Sequence, residues 1–253
     1  DALDAAVPSA IAGTDSLNIC SLALGKGLTM MLSDDGSVYA TGSNAFGQLG
    51  REVLPEGHEA SMAPLRIDIG KAAKSIECGH DHCAAISVDG ELFMWGRADG
   101  GQCAVPPDRK AVTAPTRVQL GDGRTVKAVS CGVSHTLAID DTGACWSWGQ
   151  GFQLGHGEDR SISHMPRQIE GLRNHWVIRV AAGGRHSLAL AVKRSVIASP
   201  DAVWLASIDY QIWSWGENEC GQLGVGDQVA RAVPIEVSKL QALRCVDIAA
   251  GGE

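Results

Sequence analysis

No run of 18 apolar residues occurs in this 253-residue chain, so no segment is long and apolar enough to cross a bilayer as a helix. Positive charge is short as well. The 21 Lys and Arg face 29 Asp and Glu, a net charge of −8. An acidic module does not hold phosphate backbones by bulk attraction, so nucleic acid is not expected as a partner through this segment. A local basic face is left open at Arg109 to Arg124 or at Lys193-Arg194, although a few surface Lys and Arg usually serve solvation. The eight cysteines contain no Cys-x-x-Cys pair, which leaves free structural thiols in a reducing compartment as the reading. No signal peptide is visible, but a chain that opens on Asp1 leaves that question unanswered. Walker loop, nucleophile elbow and paired-carboxylate motif are all missing. The chain is therefore expected not to be an enzyme and to need no cofactor. Aromatic residues make up only 5 %, but seven of the twelve are Trp, and their placement is regular.

That regularity is a repeat. Cys78-Gly79-His80-Asp81-His82-Cys83 matches Cys131-Gly132-Val133-Ser134-His135-Thr136 and Ala182-Gly183-Gly184-Arg185-His186-Ser187, with Leu24-Gly25-Lys26-Gly27-Leu28-Thr29 as a worn copy. The leading glycines fall at 25, 79, 132 and 183, and Ala249-Ala250-Gly251-Gly252 opens a fifth copy. A period of about 50 residues defines a repeat architecture before any residue is given a chemical role. Within each copy a short apolar strand leads to a turn such as Asp34-Asp35-Gly36, Asp89-Gly90 or Asp141-Thr142-Gly143. An aromatic strand returns: Val38-Tyr39, Phe93-Met94-Trp95, Trp146-Ser147-Trp148 and Trp213-Ser214-Trp215. Next come Phe46-Gly47-Gln48-Leu49-Gly50, Phe152-Gln153-Leu154-Gly155 or Gly221-Gln222-Leu223-Gly224, then a Pro-bearing loop and an extended stretch. Evenly spaced short strands with no strong helical pattern predict an all-β propeller. Residues 1–16 are expected to be an N-terminal segment or an entry strand, and the repeats cover about 17–70, 71–123, 124–174 and 175–243, with a partial copy at 244–253.

The repeat dissolves several apparent sites. His82, His135 and His186 recur at one position in successive blades, too far apart to share an ion, and read as hydrogen-bonding residues within each blade. His80-Asp81-His82 lacks a third ligand, so no metal is expected there. Gly149-Gln150-Gly151 leads into a turn rather than a helix and is no dinucleotide fingerprint. Cys78 and Cys131 share the position of Ala182 and Ala250, which calls for a small buried side chain.

The pattern resembles the regulator of chromosome condensation repeat family: a Gly-x-x-His-Ser/Thr hairpin, an aromatic-x-Trp-Gly strand and an Asn-x-x-Gly-Gln-Leu-Gly turn. The likeness runs over about residues 17–253. It implies a propeller of typically seven blades, one repeat each. The four repeats and the opening of a fifth then belong to a longer polypeptide, with the remaining blades supplied by the rest of the chain. Departures stand out. Repeat one carries Leu28 for His and Thr41 for Trp, and repeat two has Gly101-Gln102-Cys103-Ala104 where a final glycine belongs, which leaves room for a different turn. Photoreceptor members of the family place Trp immediately after the motif glycine. Here those residues are Lys26, His80, Val133 and Gly184, so that mechanism is not expected.

Repeat four departs in length. From motif His to hairpin aromatic is 82 to 93 and 135 to 146 in repeats two and three, but 186 to 213 in repeat four. The extra residues form a hairpin insertion at about 192–210. The family resemblance implies a non-enzymatic protein-interaction scaffold within a larger assembly, with the insertion as its contact; read otherwise, the insertion folds Trp204 back on the propeller side and merely covers apolar surface. Its candidate partner-binding residues are Lys193, Arg194, Pro200, Asp201, Trp204 and Leu205, a Trp-and-Arg composition favoured in interface hot spots. The alternative is a guanine-nucleotide exchange factor or other regulator of a small GTPase. Exchange-factor members carry their wedge after the Trp-Gly strand, a different place from this insertion. The expected setting is intracellular: cytoplasmic, mitochondrial or ciliary.

Overall fold

The computed structural model describes residues 11, 13–52, 60–157, 162–196, 210–240 and 245–252. Its sixteen strands form four antiparallel sheets of four, each a meander in sequence order. The first sheet is β1 (Ile19–Gly25), β2 (Leu28–Ser33), β3 (Val38–Ser43) and β4 (Ala60–Ile67). The second is β5 (Ala73–Cys78), β6 (His82–Ser87), β7 (Leu92–Arg97) and β8 (Ala111–Val118). The third is β9 (Val126–Cys131), β10 (His135–Asp140), β11 (Cys145–Gly149) and β12 (Ser163–Gln168). The fourth is β13 (His175–Ala182), β14 (His186–Lys193), β15 (Gln211–Gly216) and β16 (Arg231–Glu236). Each sheet is one blade, and β1, β5, β9 and β13 follow one another around the inside.

The second strand of a blade is covered on both faces, because the neighbouring blades sandwich it. Every residue of β6 and of β10 is buried. This explains why those strands read as continuous apolar runs rather than as alternating ones. Trp95, Trp148 and Trp215 are fully buried between blades. Each outer strand holds a proline in the same place, Pro64, Pro115, Pro166 and Pro234. A proline presents no N–H, so it blunts an exposed edge.

The inner strands are stitched at the motif glycines. Lys26 N–H donates to His80 O at 2.9 Å, His80 N–H to Gly132 O at 3.1 Å, and Gly184 N–H to Gly251 O at 3.1 Å. A Cβ on Gly79 would collide with Gly132 O and with the ring of its own His82, and one on Gly132 with Gly183 O and the His135 ring. The glycine is thus dictated by close approach of two blades and an imidazole.

A second stitch runs through the side chains and corrects one sequence expectation. His82 and His135 bond across blades, not within them. Thr136 Oγ donates to Gln102 O and therefore accepts from His82 Nε2–H at 3.0 Å. In the same way Ser187 donates to Gln153 O and accepts from His135 Nε2–H at 3.0 Å. The Gln carbonyls also receive the indoles of the following blade. Trp95 donates to Gln48 O, Trp148 to Gln102 O and Trp215 to Gln153 O, at 2.7–2.9 Å.

The turn of the second blade keeps the geometry of the others. Gln102 Oε1 accepts from Gly100 N–H at 2.8 Å, as Gln48 does from Phe46 and Gln222 from Cys220. Ala104 takes the left-handed conformation that Gly50, Gly155 and Gly224 take elsewhere, with φ 55. Cys78 and Cys131 are buried at the repeat position that calls for a small side chain.

Candidate interaction surfaces

Two surfaces stand apart from the packed interior. The first is the root of the insertion in blade four. β14 ends at Lys193, a 3₁₀ turn covers Arg194–Val196, and β15 resumes at Gln211. The tip of this hairpin is where the sequence placed the extra residues. Lys193 is exposed and stands opposite His175 on β13. Arg194 is fastened to the propeller. Its guanidinium donates to Arg173 O at 3.1 Å and to Thr142 O, in blade three, at 2.8 Å. It also lies over the Trp176 ring, 5.4 Å from the centroid. Trp176 in turn packs on Gly143 of the blade-three hairpin, where a Cβ would stand 2.6 Å from the indole. Arg194 therefore anchors the root to a neighbouring blade, a role that sequence reasoning missed because its acceptors are backbone carbonyls. Pro200, Asp201, Trp204 and Leu205 lie outside the described residues.

The second surface is a polar groove of about 530 Å³ on the face formed by the motif loops of blades two, three and four. His80, Arg97, Asp99, Gln150, Arg185 and Glu217 are among its lining residues. Its charges are mostly spoken for. Asp81 lies 2.7 Å from His80 Nδ1 and 3.6 Å from Arg97, and Arg97 forms a fork with Asp99 at 2.8 and 2.9 Å. Arg185 and Glu217 are 3.5 Å apart. The His80-Asp81-His82 run divides accordingly: His80 faces the groove, while the His82 ring is buried and bonded to Thr136. Among the described residues no group of three or more His, Cys, Asp or Glu is arranged to hold a metal. No helix among them is long and apolar enough to cross a membrane.

Four-stranded meanders stitched blade to blade by a recurring Gly, His and Trp set define a β-propeller of the repeat class. The chain belongs to the RCC1-like domain family, whose model matches residues 2–253. It is 29 % identical over 254 residues to the ultraviolet-B receptor UVR8 of Arabidopsis thaliana, covering 98 % of this chain and 52 % of that protein. It is 31 % identical over 254 residues to the mitochondrial RCC1 domain-containing protein RUG3 of the same plant, covering 93 % of this chain and 50 % of that protein. The structure of Prp20p from Saccharomyces cerevisiae superposes with a TM-score of 0.76 at 26 % identity, covering 93 % of this chain and 54 % of that one. The chain thus spans about half the length of these relatives.

Proposed function

We propose that this segment is a non-enzymatic interaction platform, a stiff propeller arc that presents the blade-four insertion to a protein partner within a larger assembly. The observation that carries the reading is the anchoring of Arg194. A hairpin that merely capped its own blade would need no tie to Thr142 of blade three. A fixed root lowers the ordering cost of binding through what it carries. Lys193 contributes an exposed cation beside that root, and the apolar contact is assigned to Pro200, Trp204 and Leu205, with the Asp201 carboxylate as a polar one. Leu22 and Leu24 are 58 % and 71 % exposed on β1, while Ile76 and Cys78 at the same repeat positions are buried. A further blade from the remainder of the protein is proposed to cover them. An intracellular, reducing setting fits the eight thiols, none of which is in a disulfide.

The second reading is regulation of a small GTPase. It is favoured by the likeness to Prp20p, which is described by its binding to Gsp1p and histones. The motif-loop groove would then be the contact.

Affinity capture from native cells tests the choice, comparing the full-length protein with a form in which residues 192–210 are replaced by the shorter hairpin turn of blade three. Partners lost with the insertion support the platform. An unchanged partner set overturns it, and a small GTPase held best without nucleotide moves the second reading to first place.

A further inference from the structure

Blade three contains a built carboxylate site. Asp140, at the end of β10, is buried and accepts from Trp146 Nε1 at 2.9 Å, with Arg124 Nε 3.5 Å away. Blade four reproduces the frame. Ala191 pairs with Val177 as Asp140 pairs with Val126, and Trp213 pairs with Ala189 as Trp146 pairs with Ala138. His175, two residues before Val177, takes the place of Arg124. The donors are kept and the carboxylate is gone, because Ala191 stands where Asp140 does.

The consequence is visible in the hydrogen-bond inventory. Among the described residues, six buried side-chain N and O atoms make no hydrogen bond of good geometry, and four of them lie here: both ring nitrogens of His175, Trp213 Nε1 and Gln211 Oε1. His175 and Gln211 face one another closely enough to interact, which leaves Trp213 Nε1–H as the donor with no acceptor among the described residues. His175 is 9 % exposed and meets the Trp213 ring edge-on at 4.8 Å. Leaving such groups dry and unpaired is costly, and native structures rarely do so without a reason. The surrounding charge favours an anion. Lys193 and Arg194 bear on His175, opposed by Glu236, whose carboxylate already accepts from Gln211 Nε2 at 2.8 Å.

We propose that the base of the blade-four insertion is a carboxylate socket, in which Trp213 Nε1–H and a His175 ring N–H receive an acid group supplied from outside β14. Lys193 and Arg194 add long-range attraction. The ligand chemistry is that of Asp140 in blade three: a single carboxylate, carried by a small anion or by an acidic side chain. Protonation of His175 adds a donor, so binding tightens as pH falls through the titration of that ring.

The test follows the indole N–H resonances of the full-length protein during titration with sodium acetate, with sodium chloride as control. Trp213→Phe identifies the relevant signal. A saturable downfield shift of the Trp213 indole, with a rise in the His175 pKa, is expected for acetate and not for chloride. Ala191→Asp places the carboxylate in cis and should weaken acetate binding by at least about tenfold. Tighter binding of N-acetyl-aspartate amide than of acetate assigns the natural ligand to a polypeptide side chain, and the reverse assigns it to a small anion. No saturable shift, or one that chloride reproduces, overturns the proposal. So does an acetate response that survives in a folded Ala191→Asp variant.

Discussion

His135 Nε2 and Ser187 Oγ are 3.0 Å apart and lie in different blades. Because the Ser187 hydroxyl donates onward to Gln153 O, the His135 ring must carry its proton on Nε2. The same arrangement joins His82 to Thr136. It is missing at the first boundary, where Leu28 replaces the histidine and Cys83 the hydroxyl. Donor and acceptor are lost together, which is what a pairwise contact between blades requires.

His135→Leu alone should destabilise the protein by about 2–4 kcal/mol, and Ser187→Cys alone by about 1–2 kcal/mol, since each strands a buried polar partner or opens packing. The double variant reproduces the Leu28–Cys83 pair and should recover about 1 kcal/mol relative to the sum. Chemical denaturation measures the cycle. Strict additivity would mean that the two residues do not interact.

Burial depresses the pKa of His82 to about 4 and that of His135 to about 3. The sign follows from the unfolded chain, in which each ring takes up a proton near its ordinary value of about 6.5. The stability these rings contribute is therefore complete above that value and is lost as pH falls through it. By pH 4 the loss should be about 3 kcal/mol per ring. A histidine-replaced variant should show a flatter Tm profile between pH 6.5 and 4.

Glu77 on β5 runs the other way. Burial raises its carboxyl to about 7, so the folded protein favours the protonated acid. This destabilisation is absent below the ordinary carboxyl range and complete above pH 7. Glu77→Gln should leave stability unchanged at pH 4.5 and raise it by about 2–3 kcal/mol at pH 8. Equal effects at both pH values would rule out titration as the cause.

Ala104 holds a left-handed φ of 55 in the turn where other blades use glycine. Ala104→Gly relieves strain of about 1 kcal/mol and should stabilise by somewhat less, because glycine costs more chain entropy. A thermal melt of the variant decides it, and a lower Tm would contradict the assignment.

Trp148→Ala and Trp215→Ala each remove a fully buried indole bonded to the preceding blade and should cost about 3–5 kcal/mol. Glu217→Ala, on the groove rim, should cost little. Comparable losses at all three would mean that the repeat register is wrong.

The repeat made the fold legible. Recurrence of Trp148 and Trp215 against a fixed glycine marked the strands, and the distance from His186 to Trp213 located the insertion. Two things were hidden. The partner of His82 lies 54 residues on, and nothing local in Thr136 announces it, so the bond was assigned within the blade. Arg194 binds carbonyl groups, which every residue offers, so its anchoring role left no signature. The exchange of Asp140 for Ala191 was readable by aligning the repeats, but its meaning depends on Trp146 Nε1 reaching that carboxylate, which only the fold reveals.

Site-specific photocrosslinking in cells tests the platform reading most directly, with the crosslinker at Lys193 in one form of the full-length protein and at Gln150, on the motif-loop groove, in another. The account predicts a discrete protein adduct from position 193 and none of comparable yield from position 150. Adducts confined to position 150 would contradict it and place the working surface on the opposite groove.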